Sequence, residues 1–218
     1  MSAGIRLSCE WALGAARVLF ERWGMHPSAC AIVGSVRRRL QEIGDLDIIA
    51  PLPPAGHGDP LYESIDATVI KPAAKAALWE MGGLEERFVE VKSGHNRYFK
   101  SLSVIAHLEA DGITYPIPVQ VSRYTPQNRG WMEIYKTGPR EFGMWYLLRW
   151  KEHHGIPDHQ AASVGNHLRT AAGEIVPLES ENDCFRILSI AAVPPQDRAA
   201  YAAEGLRRYS KEQQERVS

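Results

Sequence analysis

The sequence predicts an α+β protein, with a mixed half of strands and helices followed by a mostly helical half. Three observations carry that expectation. Short apolar runs bounded by Gly and Pro occupy residues 29 to 124. Helical periodicity takes over from Phe142 onward, and a separate helical stretch opens the chain.

That first stretch, Glu10 to Trp23, can bring Ala12, Ala15, Val18, Leu19 and Trp23 onto one face. His26-Pro27-Ser28 leads into a strand, Ala29 to Val33. Gly34 lets the backbone turn tightly, and Ser35 is placed to cap a short helix whose apolar face is Val36, Leu40 and Ile43. Gly44 breaks that helix, and Asp45-Leu46-Asp47-Ile48-Ile49 alternates as a strand. A Pro/Gly-rich loop from Pro51 to Pro60 follows, then a partly helical stretch from Tyr62 to Trp79. Phe88 to Lys92 and Tyr98 to His107 read as strands, and Ile113 to Tyr124 as another despite its prolines. Beyond them, Phe142 to His154 has helical period and stops at Gly155-Ile156-Pro157. Ser180 to Ser189 opens with Ser180 and Asp183 spaced as a capping box, and a polar helical tail runs from Gln196.

Composition narrows the class. The chain has 218 residues, enough for one sizeable core or two small domains, and a formal net charge of -1. That balance argues against bulk electrostatic attraction to nucleic acid and leaves room for a local basic groove. Cys9, Cys30 and Cys184 form no CxxC pair, so neither a zinc site nor a disulfide framework is expected. No leader or membrane span is visible, which makes a cytoplasmic protein with no membrane partner the expectation.

The chemistry concentrates in residues 31 to 50. Strand alternation projects Asp45 and Asp47 from the same face, beside the turn at Gly34 and Ser35. Adjacent carboxylates hold a divalent cation, and the backbone N–H groups at the start of a helix attract phosphate. Together they describe a site for a metal-bound nucleoside triphosphate.

Gly34-Ser35, Arg37-Arg38 and Gly44-Asp45-Leu46-Asp47 resemble the palm signature of the polymerase-beta nucleotidyltransferase superfamily. Two further segments are similar to family X DNA polymerases. Tyr135-Lys136-Thr137-Gly138, after Gly130, resembles the family's Tyr-Phe-Thr-Gly segment. Glu179 to Phe185 followed by Val193-Pro194-Pro195-Gln196-Asp197-Arg198 resembles its thumb ending. The resemblance runs in order over residues 14 to 198 and implies a minimal protein: a nucleotidyltransferase palm, its mixed sheet flanked by helices, over residues 1–130, and a small helical thumb over residues 131–218.

The resemblance implies transfer of a nucleoside monophosphate from an NTP or dNTP to a nucleic-acid 3′-end, with DNA as partner and Mg²⁺ or Mn²⁺ as cofactor. Asp45 and Asp47 would be the catalytic metal ligands. Gly34, Ser35, Arg38 and Gly44 would cradle the β- and γ-phosphates, while Tyr135, Thr137 and Gly138 would line the sugar. The family carries a third catalytic aspartate on a later strand. Counting without gaps places it at Gln120, and an alternative match places it at Ser122, on the same strand face. Neither is a carboxylate, and Glu90 and Glu109 are the nearest candidate replacements. The departure implies slowed transfer, or a degenerate relative that binds nucleotide or DNA without turnover. Lys136 also replaces the family's aromatic, and Gly143 its base-reading Asn.

Other clusters read more plainly. Glu152-His153-His154 with His159 lacks a metal-binding spacing and reads as exposed histidines. His95 and Arg97 belong to a loop that either touches phosphate or is plain surface. Trp131, Trp145 and Trp150 are expected to seat one domain on the other.

Overall fold

The computed structural model describes residues 6–52, 90–93, 96–99, 101–110 and 113–217. It is an α+β fold divided into two compact units, Met1–Tyr124 and Thr125–Ser218. The helix expected over Tyr62 to Trp79, and His95, lie outside the described residues.

In the first unit, helix α1 (Cys9–Arg22) begins at Ser8, whose hydroxyl accepts from the Trp11 N–H. Its face of Ala12, Ala15, Ala16, Leu19 and Phe20 is buried, while Val18 turns outward. Strand β1 (Ala31–Ile32) and a single helical turn, α2 (Gly34–Arg37), follow. After β2 (Leu46–Pro51) come the hairpin β3 (Glu90–Ser93) and β4 (Asn96–Phe99), then β5 (Ser101–Ala110) and β6 (Ile113–Tyr124). The main sheet runs β1-β2-β6-β5, with β2 and β6 parallel and the other pairs antiparallel.

Both prolines of β6 have a structural explanation. Pro116 and Pro118 pair with His107 and Ile105 of β5, and the β2 ladder begins only at Val119. The missing N–H groups therefore fall outside the β2–β6 pairing. Leu46, Ile48 and Ala50 of β2 join Ile117, Val119 and Val121 of β6 in the core with α1. Asp47 and Ile49, with Gln120 and Ser122, lie on the opposite face.

The second unit is mostly helical. Helix α3 (Arg129–Thr137) leads through a cis Gly138–Pro139 peptide into α4 (Arg140–His154). A small hairpin, β7 (Ser163–Val164) with β8 (His167–Leu168), precedes α5 (Glu181–Ile187) and the long α6 (Arg198–Val217). The capping box at α5 forms as its spacing predicts: the Asp183 N–H donates to Ser180 Oγ, and the Ser180 N–H to Asp183 Oδ2. Trp131, Trp145 and Trp150 pack inside this unit with Phe142, Tyr146 and Phe185. They are part of the core of the helical unit itself.

Candidate functional site

The site begins at the turn between β1 and α2. Gly34 has φ +64, a left-handed conformation that L side chains rarely adopt. It also has no room for one, because a Cβ there would overlap the Asp47 carboxylate. The absent side chain lets the carboxylate sit against the backbone turn. The Val33 N–H donates to Asp47 O at 2.8 Å, holding β2 against the start of that turn.

Around this contact the first unit gathers its other predicted residues. Asp45, exposed, leads into β2, and Asp47, half-buried, lies two residues on. Their Cα atoms are about 7 Å apart along an extended chain. Gln120 is the direct register partner of Asp47 across the β2–β6 ladder. Ser122 stands opposite Ile49, one pair further along. The residue beside the half-buried carboxylate is therefore Gln120. Ser122 is 3% exposed and its hydroxyl has no hydrogen-bond partner among the described residues.

Two local expectations need correction. Ser35 does not cap α2: the N-cap is Val33, with no side-chain cap, and Ser35 lies within the turn. Its Oγ is instead buried without a partner among the described residues. Nor does the helix continue to Leu40 and Ile43. Arg39 adopts φ 56 and Leu40 is exposed, while Ile43 is buried by bridging to Leu7. The first intrahelical donor of α2 is the Arg37 N–H, so the N–H groups of residues 34 to 36 precede the ladder. Arg38 closes the turn at the C-cap.

The same bridge introduces a residue that sequence reasoning missed. Leu7 and Ile43 exchange both backbone hydrogen bonds at 2.9 Å, bringing Arg6 alongside Gly44. Arg6 Nη1 would lie 3.4 Å from a Cβ at Gly44, next to Asp45. No motif marks this arginine, since it depends on a pairing thirty-odd residues away in sequence.

The candidate replacement carboxylates do not come to this point on the sheet. Glu109 pairs with Thr114, six residues along β6 from Gln120, or about 20 Å of extended chain. Glu90 stands on the separate β3–β4 hairpin opposite Phe99, and Arg97 on the same hairpin opposite Lys92.

Tyr135, Thr137 and Gly138 belong to the second unit, where they lie at the end of α3 with Gly138 as its C-cap. Tyr135 is 51% exposed, with its ring 5.4 Å from Trp131 and Lys136 Nζ 5.8 Å above its face. Thr137 is buried. Gly143 on α4 would place a Cβ 3.7 Å from the Tyr135 ring, in ordinary contact.

Near the end of α4, the His154 ring packs 4.3 Å from Trp150. Burial, then His153, hold His154 below the ordinary imidazole pKa. Among the described residues no cluster of three or more His, Cys, Asp or Glu side chains is arranged to hold a metal. Among them, too, no helix is long and apolar enough to cross a membrane. No family model matches the chain, and no curated protein matches it.

Proposed function

We propose that this chain is a metal-dependent nucleotidyltransferase resembling family X DNA polymerases. It adds a nucleoside monophosphate from an NTP or dNTP to a nucleic-acid 3′-end, with DNA as the preferred partner. The observation that carries this reading is the Asp47 carboxylate set against the side-chain-free turn at Gly34, with Asp45 two residues before it.

The donor set fits a hard divalent cation. Asp45 and Asp47 offer carboxylate oxygens, the ligands that Mg²⁺ and Mn²⁺ prefer, and triphosphate oxygens complete such a shell. A bound cation supplies charge neutralisation on the triphosphate and on the departing pyrophosphate. The chain's own groups bind and orient. Ser35 Oγ, buried and without a partner among the described residues, would donate to a phosphate oxygen. Arg38 and Arg6 add positive charge at the two ends of the 34–44 segment.

Transfer forms a bond from the 3′-oxygen to the α-phosphorus and breaks the bond to pyrophosphate. The hydroxyl proton must leave, and Gln120 cannot accept it. General-base assistance is worth about 10²- to 10⁴-fold, so slow turnover with the proton passing to water is the expected regime.

The register of Gln120 against Asp47 also favours a second reading, a catalytically degenerate relative that binds nucleotide or DNA. Gln120→Asp separates the two. If the chain is a slow enzyme, the variant raises a measurable basal incorporation rate by about 10²- to 10⁴-fold. Incorporation seen only in the variant supports the degenerate relative. Wild-type protein with saturable binding of neither Mg-dNTP nor DNA contradicts both.

A further inference from the structure

The second unit contains a cavity of about 580 Å³ between α4, α6 and the segment after α5, within the usual size of small-ligand sites. Its walls include Trp145, Tyr201, Tyr209, Arg149, Arg208 and Glu204. We propose that this cavity receives an unpaired nucleotide of a single-stranded nucleic acid. The choice of nucleic acid rests on the nucleotidyltransferase reading; the rest follows from the cavity itself.

Trp145, Tyr201 and Tyr209 give the wall its aromatic surface. Tyr201 meets the Trp145 ring edge-on at 4.9 Å and is 41% exposed. Gly205 makes this arrangement possible, since a Cβ there would overlap the Trp145 indole at Nε1 and Cδ1. Trp145 itself is only 5% exposed. Tyr209 lies two turns beyond Tyr201, on the same side of α6. A planar base can stack on such rings.

Charge at the rim suits phosphate. Glu204 engages Arg207 and Arg208, each at 2.8 Å, and Arg149 engages Glu152 at 2.6 Å. Two of these guanidiniums, Arg149 and Arg208, line the cavity with one carboxylate, Glu204, and each has five N–H donors, more than its one partner uses. A smaller cavity of about 240 Å³, lined by Arg149, Glu152, His153 and Leu188, shares the Arg149 wall. Two cavities that share Arg149 can take successive nucleotides of a strand.

The test uses the full chain carrying Asp45→Ala, in EDTA, so that neither metal nor transfer contributes. A fluorescently labelled single-stranded oligothymidylate is titrated by anisotropy. Saturable binding that weakens with salt is expected, with Tyr209→Ala about tenfold weaker and Tyr209→Phe unchanged. Arg149→Gln and Arg208→Gln should each lower the salt slope by about 0.7. Absence of binding overturns the proposal. So does a Tyr209→Ala variant that binds like its parent at an unchanged thermal midpoint. If free dTMP competes as tightly as the strand, the strand assignment is overturned. Metal-free binding is read independently of incorporation, so failure here and failure of the nucleotidyltransferase reading remain distinguishable.

Discussion

Gly34→Ala tests the geometry of the site at its tightest point. Two costs add there. A left-handed alanine costs about 1–2 kcal/mol in backbone energy, and forcing a Cβ onto the Asp47 carboxylate costs about 1–3 kcal/mol more. Gly24 supplies the internal control, since it has φ +60 but open space where its Cβ would go. Gly24→Ala should therefore lose only the backbone cost. Thermal unfolding followed by far-ultraviolet circular dichroism reads both variants. At about 4 °C per kcal/mol for a unit of this size, Gly24→Ala should fall by about 4–8 °C and Gly34→Ala by about twice that. Removing the carboxylate with Asp47→Ala should recover only part of the extra cost of Gly34→Ala, because the Cβ of residue 47 would still stand 2.8 Å from the new one. The proposed function adds a second readout: Mg-dNTP at 100-fold its Kd should stabilise wild type by about 2.7 kcal/mol and leave Gly34→Ala unmoved. Equal losses at Gly24 and Gly34, with nucleotide stabilisation intact in both, would refute the reasoning.

Arg198 is fully buried, paired to Glu181 at 2.6 Å and 5.0 Å from the Phe142 ring. Glu181→Ala strands that charge and should cost about 3–5 kcal/mol in urea denaturation, whereas the double variant Arg198→Met with Glu181→Ala should recover most of it. At the start of α5, hydrogen bonds from Ser180, then Arg186, hold the Asp183 carboxyl below its ordinary range. A depressed carboxylate stabilises the fold above its unfolded pKa, near 4, and the contribution disappears as pH falls through the folded value. Ser180→Ala should cost about 1 kcal/mol at pH 7 and progressively less below pH 4, as measured by unfolding across that range. Burial pushes the Cys184 thiol up to about 12, with smaller effects from its neighbours. A thiol reagent at neutral pH should modify the half-buried Cys9 and spare Cys30 and Cys184, as counted by mass spectrometry.

The sequence was informative where local chemistry decides the structure. The capping box at Ser180, the stop at Gly155 and the span of β6 follow from caps, left-handed glycines and alternation, and all appear where those signals place them. It was less informative where tertiary contacts override local preference. Val36, Leu40 and Ile43 have helical spacing, but the Leu7–Ile43 bridge captures Ile43 and ends α2 after one turn. Which residue faces Asp47 depends on sheet register, and the β2–β6 ladder shows it to be Gln120, with Ser122 opposite Ile49. Arg6, and the opening that Gly205 leaves beside Trp145, depend on contacts with distant segments and have no motif.

The most direct test of the central claim is labelled-nucleotide incorporation on a gapped DNA duplex, with Mg²⁺ and then Mn²⁺, beside Asp45→Ala. The nucleotidyltransferase reading predicts slow incorporation that requires the metal and disappears in the variant. Incorporation that persists in Asp45→Ala, or its absence from wild type under both metals, would contradict it.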